Sequence, residues 1–135
     1  GFMPTQQQHT VEKYMTKSPH TIGSDQTLEK AHHVMREYNI RHLPVLKGGK
    51  LVGILSDRDL HLVESLPDVD PAKITVEEAY TPDPFITTPD TSLKIVCQEM
   101  TKHKYGSALI VDSHQKLIGI FTWIDALKVL ETLIK

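Results

Sequence analysis

An α+β fold of two tandem βαββα repeats, related by a pseudo-two-fold axis, is what this chain of 135 residues predicts, on three observations. Val11 and Val76, Pro19 and Pro84, Asp25 and Asp90, Leu28 and Leu93, and Met35 and Met100 each lie 65 residues apart. An added residue near Lys47 to Lys50 then moves the offset by one. Leu51-Val52-Gly53-Ile54-Leu55-Ser56 thereafter aligns with Leu117-Ile118-Gly119-Ile120-Phe121-Thr122, and Asp59 with Asp125. Within each half, a helix-periodic stretch precedes two short apolar runs and a second helical stretch. Such self-similarity reports supersecondary units that bury their apolar faces against one another, and it offers a pseudo-two-fold interface with clefts along it.

Residues 1–10, with three consecutive glutamines and no apolar core of a signal peptide, are expected to be a flexible arm; repeat one is assigned 11–70 and repeat two 71–135. In repeat one, Ser24 and Asp25 offer an N-cap before Leu28, Ala31, His32, Met35 and Tyr38, which share one helical face, and the helix should end near Asn39. Leu43 to Leu46, Gly48-Gly49 and Leu51 to Leu55 read as a hairpin. Pro44, lacking an amide hydrogen, is expected at a strand start or edge. A helix from Asp57 to about Leu66 follows, then a proline-punctuated connection with a short turn around Val76 to Tyr80. Repeat two restates the order with a strand at Phe85 to Thr87, a helix from Thr91 to His103, a hairpin of Ala108 to Val111 with Leu117 to Phe121, and a closing helix from Trp123 to Leu133.

Composition narrows function. A net charge of −2 with interspersed signs gives no footprint for nucleic acid, and no apolar run approaches the roughly 20 residues of a membrane span. A soluble, cytoplasmic protein is expected. The lone Cys97 cannot form an internal disulfide and falls on an apolar helical stripe with Leu93, Val96 and Met100, so it reads as packing.

Ser56-Asp57-Arg58-Asp59 and Thr122-Trp123-Ile124-Asp125 both set a hydroxyl three residues before an acid, between a strand and a helix. By spacing alone this is a capping box or a ligand site. Taken with Ile40-Arg41-His42-Leu43-Pro44-Val45, Pro19-His20-Thr21-Ile22 and Pro84-Phe85-Ile86-Thr87, the pattern resembles a tandem pair of CBS (cystathionine β-synthase) domains from about Val11 to Leu133. It is most similar to the small stand-alone bacterial pairs, AcuB-like proteins among them, while the segment ending at Leu60 also resembles the insert of IMP dehydrogenases.

The resemblance implies two repeats packed through their sheets with helices outside, and clefts that take an adenosine-containing ligand: AMP, ADP, ATP, an NAD-type molecule, S-adenosylmethionine or a cyclic dinucleotide. Asp59 and Asp125 suit the vicinal hydroxyls of a ribose, because a carboxylate accepts charge-assisted hydrogen bonds. Ser56 and Thr122, at helix N-termini, suit phosphate oxygens. Clefts of the family join the acid-bearing loop of one repeat to the hairpin start of the other. On that rule the principal cleft holds Thr21, Ile22, Arg41, His42, Leu43, Pro44, Thr122 and Asp125, and the second holds Ser56, Asp59, Thr87, Ser107 and Ala108. Only the first has basic charge at the entry itself; beside the second, His103 and Lys104 lie one turn earlier. Leu109 stands where repeat one has Pro44, a departure from the pattern.

His42 beside Arg41 reads as a pH-sensitive phosphate contact or as a plain surface histidine. No helical pair of histidines suggests a metal, and none is expected. With no phosphate loop, nucleophile elbow or carboxylate dyad, an enzyme is not expected. The apolar residues Ala126, Leu127, Val129, Leu130, Leu133 and Ile134 suit a self-complementary interface, so a homodimer and a regulated partner protein are expected. The alternative is a structural dimerisation module with no ligand.

Overall fold

The computed structural model describes residues 9–134. Residues 1–8 of the expected arm lie outside the described residues. In chain order the elements are β1 (Thr16–Lys17), β2 (Ile22–Gly23), α1 (Leu28–Tyr38), β3 (His42–Lys47), β4 (Lys50–Ser56), α2 (Asp57–Glu64), β5 (Thr81–Pro82), β6 (Ile86–Thr87), α3 (Leu93–His103), β7 (Ser107–Val111), β8 (Leu117–Thr122) and α4 (Trp123–Leu133). Single 3-10 turns at Val11–Lys13 and Val76–Glu78 precede β1 and β5. The fold is α+β, as the repeats predict.

Two compact units divide the chain: His20–Pro84, and a discontinuous unit of the residues up to Pro19 with those from Phe85 onward. The first carries a sheet in the order β2-β3-β4-β5, and the second a sheet in the order β1-β8-β7-β6. Each sheet therefore takes one edge strand from the leading segment of the other sequence repeat. The same exchange repeats along the backbone. Val11 N donates to Thr91 O and Leu93 N to His9 O in the discontinuous unit, matched by Val76 N to Gln26 O and Leu28 N to Ile74 O in the other.

The hairpins follow from their turns. Gly48 and Gly49 sit at φ +57° and +80°, the positive pair that a two-residue hairpin turn with the twist of its strands requires. The equivalent connection of repeat two is longer, the five residues 112–116 between its strands. There the Asp112 carboxylate accepts from the backbone N–H of His114 (2.8 Å) and Lys116 (3.0 Å), which also holds its pKa below the ordinary range.

α1 ends as expected, at Asn39 in the left-handed region (φ 52°). Its N-cap is a correction: Thr27, not Ser24 or Asp25, accepts from Lys30 N at 3.1 Å. Ser24 instead extends the edge of β2, its N–H donating to Leu46 O and its carbonyl accepting from Glu77 N.

Pro44 is also corrected, since it lies inside β3 opposite Ile54 rather than at a strand start. β2 pairs with β3 only at Val45 and Leu46, so Pro44 needs no donor on that side. In repeat two the counterpart Leu109 N–H donates to Phe85 O at 2.8 Å. The leucine that departs from the pattern thus supplies a bond that proline cannot make.

The His20–Pro84 core gathers Leu28, Met35, Leu43, Val45, Leu55, Leu60 and Val76; the other gathers Val11, Val96, Ala108, Ile110 and Phe121. Val76 and Val11 are fully buried in the core of the unit built mainly from the other repeat. Burying such side chains contributes about 1.5–3 kcal/mol each, which anchors the exchanged segments. Gly53 and Gly119 make room for them: a Cβ at Gly53 would lie 2.3 Å from the Tyr80 ring, and one at Gly119 2.3 Å from Met15 Sδ.

Candidate functional site

Both hydroxyl–acid pairs fold as helix starts. Ser56 Oγ accepts from Asp59 N at 3.1 Å while Asp59 Oδ2 accepts from Ser56 N at 2.9 Å, a complete capping box on α2. On α4, Asp125 Oδ2 accepts from Thr122 N at 2.9 Å and from the Thr122 hydroxyl at 3.3 Å. Each acid also meets a threonine of an exchanged edge strand. Thr81 Oγ1 lies 3.3 Å from both oxygens of Asp59, and Thr16 Oγ1 donates to Asp125 Oδ1 at 3.1 Å. Thr16 and Thr81 are 65 residues apart, so the internal repeat signals them, although neither belongs to a hydroxyl–acid motif.

A carboxylate offers about four lone-pair sites, and capping consumes only part of that capacity. Asp59 is partly exposed, whereas Asp125 is 8% exposed. Both sit where a helix N-terminus presents backbone amides, a setting suited to an oxyanion beside a polyol.

The other predicted residues sort by unit. His42 pairs with Ser56 across the hairpin, Asp57 N donates to Arg41 O, and the Arg41 guanidinium stands 4.0 Å from the Asp57 carboxylate. Arg41 and His42 thus belong beside Ser56 and Asp59, while Thr122 and Asp125, the residues grouped with them by sequence, belong to the discontinuous unit. Ser107 pairs with Thr122 and Ala108 with Phe121, so the Asp125 pair has small neutral neighbours. Ile22 and Leu43 lie in the core of the His20–Pro84 unit, Ala108 lies in that of the other, and Pro44 is fully buried. Thr21 is exposed, and the half-buried Thr87 donates to Thr91 Oγ1 at 2.7 Å.

Burial holds the His42 imidazole below its ordinary pKa of 6.5, outweighing the pull of Asp57 and Asp59 toward protonation, with Arg41 adding to the lowering. The unfolded chain then takes the proton at a higher pH than the folded one. Stability from neutral His42 is complete above about pH 6.5 and is lost as pH falls toward the lowered folded value. His42→Phe is expected to flatten this acid-side loss in urea unfolding compared at about pH 7.5 and about pH 5. An unchanged drop in the variant would assign the loss elsewhere.

Cys97 is half-buried on α3, and burial raises its thiol pKa, which fits packing. Among the described residues, no cluster of three or more His, Cys, Asp or Glu side chains is placed to hold a metal, and no helix is long and apolar enough to cross a membrane.

This arrangement, two βαββα units with a hydroxyl–acid pair opening the last helix of each, matches the CBS domain family profile over residues 11–63 and 76–132. The chain belongs to that family, as a tandem CBS pair. Among curated relatives, the CBS domain-containing protein YhcV of Bacillus subtilis is 31% identical over 82% of this chain and 78% of its own length. An inosine-5′-monophosphate dehydrogenase of Korarchaeum cryptofilum is 29% identical over 82% of the chain, which spans only 22% of that enzyme. The chain likewise spans 43% of the Methanocaldococcus jannaschii protein MJ0188.

Three solved structures share the fold closely. A provisional acetoin utilization protein (AcuB) from Vibrio cholerae is 33% identical with a TM-score of 0.81, over 92% of this chain and 91% of that one. The CBS domain pair of MJ0100, in complex with 5′-methylthioadenosine and S-adenosyl-L-methionine, is 26% identical with a TM-score of 0.83, over 93% and 98%. CBSX2 in complex with AMP is 25% identical with a TM-score of 0.81, also over 93% and 98%.

Proposed function

We propose that the chain is a non-enzymatic regulatory module that binds an adenosine-containing ligand through Asp59 and Asp125. The single observation that carries this reading is the placement of both acids at helix starts with acceptor capacity left beyond their caps. The adenosine ligands of the MJ0100 pair and of CBSX2 support it. We assign the principal site to Ser56 and Asp59, because Arg41 stands beside them and its guanidinium suits the phosphate of a nucleotide, with the neutral His42 imidazole as a further hydrogen-bonding group. This departs from the grouping inferred from sequence, which gave the basic pair to Asp125.

A ligand regulates only if it favours one arrangement of the molecule over another, and the partner that reads such a change is a protein yet to be identified. A homodimer through α4, in a cytoplasmic setting, completes the proposal: Ile124, Leu127, Leu130 and Leu133 are all exposed on that helix. That apolar face is also what a purely structural dimerisation module would carry. Titration calorimetry separates the readings. ADP is expected to bind and pyrophosphate to bind far more weakly, because the acids accept from ribose hydroxyls and repel bare phosphate. Equal affinities would overturn adenosine recognition, and a dimer that binds neither compound would favour the structural module.

A further inference from the structure

We propose that Thr16 is a latch on the Asp125 site: its hydroxyl holds the carboxylate oxygen that the cap leaves free and covers its solvent side, so this site accepts its ligand more readily when β1 yields. The inference rests on Asp125 being a ribose acceptor, and adds what controls access to it.

Asp125 accepts on both oxygens, with one acceptor position of Oδ1 left over. Oδ2 accepts from Thr122 N at 2.9 Å and Thr122 Oγ1 at 3.3 Å, and Oδ1 accepts from Thr16 at 3.1 Å. The acid is 8% exposed while Thr16 is exposed, so the threonine holds the solvent side of the pair. β1 is only two residues long and lies at the edge of its sheet, where an opening need break few bonds. Its flanks are fixed: Val11 is fully buried, Met15 fills the space over Gly119, and Ser18 N donates to Ile118 O at 3.1 Å.

The counterpart in the other unit is looser. Thr81 reaches Asp59 only at 3.3 Å, shared between two oxygens, and Asp59 keeps partial exposure. Both acids thus accept from an edge-strand threonine, but Asp125 is the more deeply covered of the two and Asp59 the more exposed.

The test is calorimetry of the full chain with ADP, after melting curves establish that each variant is folded. Thr16→Val is expected to tighten the weaker of the two binding steps by about tenfold, the scale of one charge-assisted hydrogen bond no longer broken on binding. Thr16→Ser, which keeps the donor, should stay near the parent value. Adding Asp125→Ala to Thr16→Val should remove the gain. Should Thr16→Val not fold, Thr16→Ala makes the same comparison. A weaker step in Thr16→Val would mean that Thr16 positions the acid for ligand, and an unchanged step would mean that it has no part in binding; either overturns the latch. Absence of ADP binding in the folded parent and in every folded variant would instead sink the ribose reading beneath it.

Discussion

Asp59→Ala is expected to weaken ADP binding at least tenfold. A hydrogen bond to a charged acceptor contributes about 1.5–3 kcal/mol, which corresponds to roughly ten- to a hundredfold in affinity. The substitution also removes the reach-back half of the Ser56 capping box, at a cost of about 0.5–2 kcal/mol in stability. Melting curves without ligand must therefore precede titration, so that lost folding is not read as lost binding. Asp125→Ala removes an acid of the same type, but one whose second oxygen is already held by Thr16, and its effect on the tighter step should be small. If both variants remain folded and Asp125→Ala proves the more damaging, the principal site lies with Asp125, and Arg41 is surface charge.

Val11→Asp is expected to destabilise the protein by about 3–5 kcal/mol, the cost of an uncompensated buried charge. Val11 is fully buried, and the core that surrounds it consists of repeat-two residues: Val96, Ala108, Ile110 and Phe121. Amide hydrogen exchange should accelerate in β7 and β8 before β3 and β4. Val76→Asp should show the reverse, since Val76 packs with Leu28, Leu43 and Leu55. Protection lost from β3 and β4 in Val11→Asp would mean that the leading segments are not exchanged.

The elements legible in the sequence are those with a local cause. Gly48-Gly49 dictates its hairpin, apolar spacing dictates α1 and α3, and the hydroxyl–acid pairs mark the starts of α2 and α4. The exchanged edge strands were not legible. β1 and β5 have two residues each, too few to show a period, and their partners Ile120 and Ile54 are remote in sequence. Thr16 and Thr81 escaped notice for the same reason, because their chemistry appears only once the strands pair. Pro44 can lie inside β3, against the general rule for proline in strands, because pairing on the side of its missing N–H begins only at Val45. Hairpin register sets His42 opposite Ser56 within one unit, whereas grouping Arg41 and His42 with Asp125 rests on the family's cleft rule and not on local pairing.

The central claim, that paired acids read the vicinal hydroxyls of a ribose, is tested most directly by titrating ADP against its 2′,3′-dideoxy analogue. Base and phosphates are the same in both, so only the hydroxyls differ. The account predicts that the dideoxy compound binds at least tenfold more weakly, and that Asp59→Ala brings the two affinities together. Equal affinity of the two compounds for the unaltered protein would contradict it.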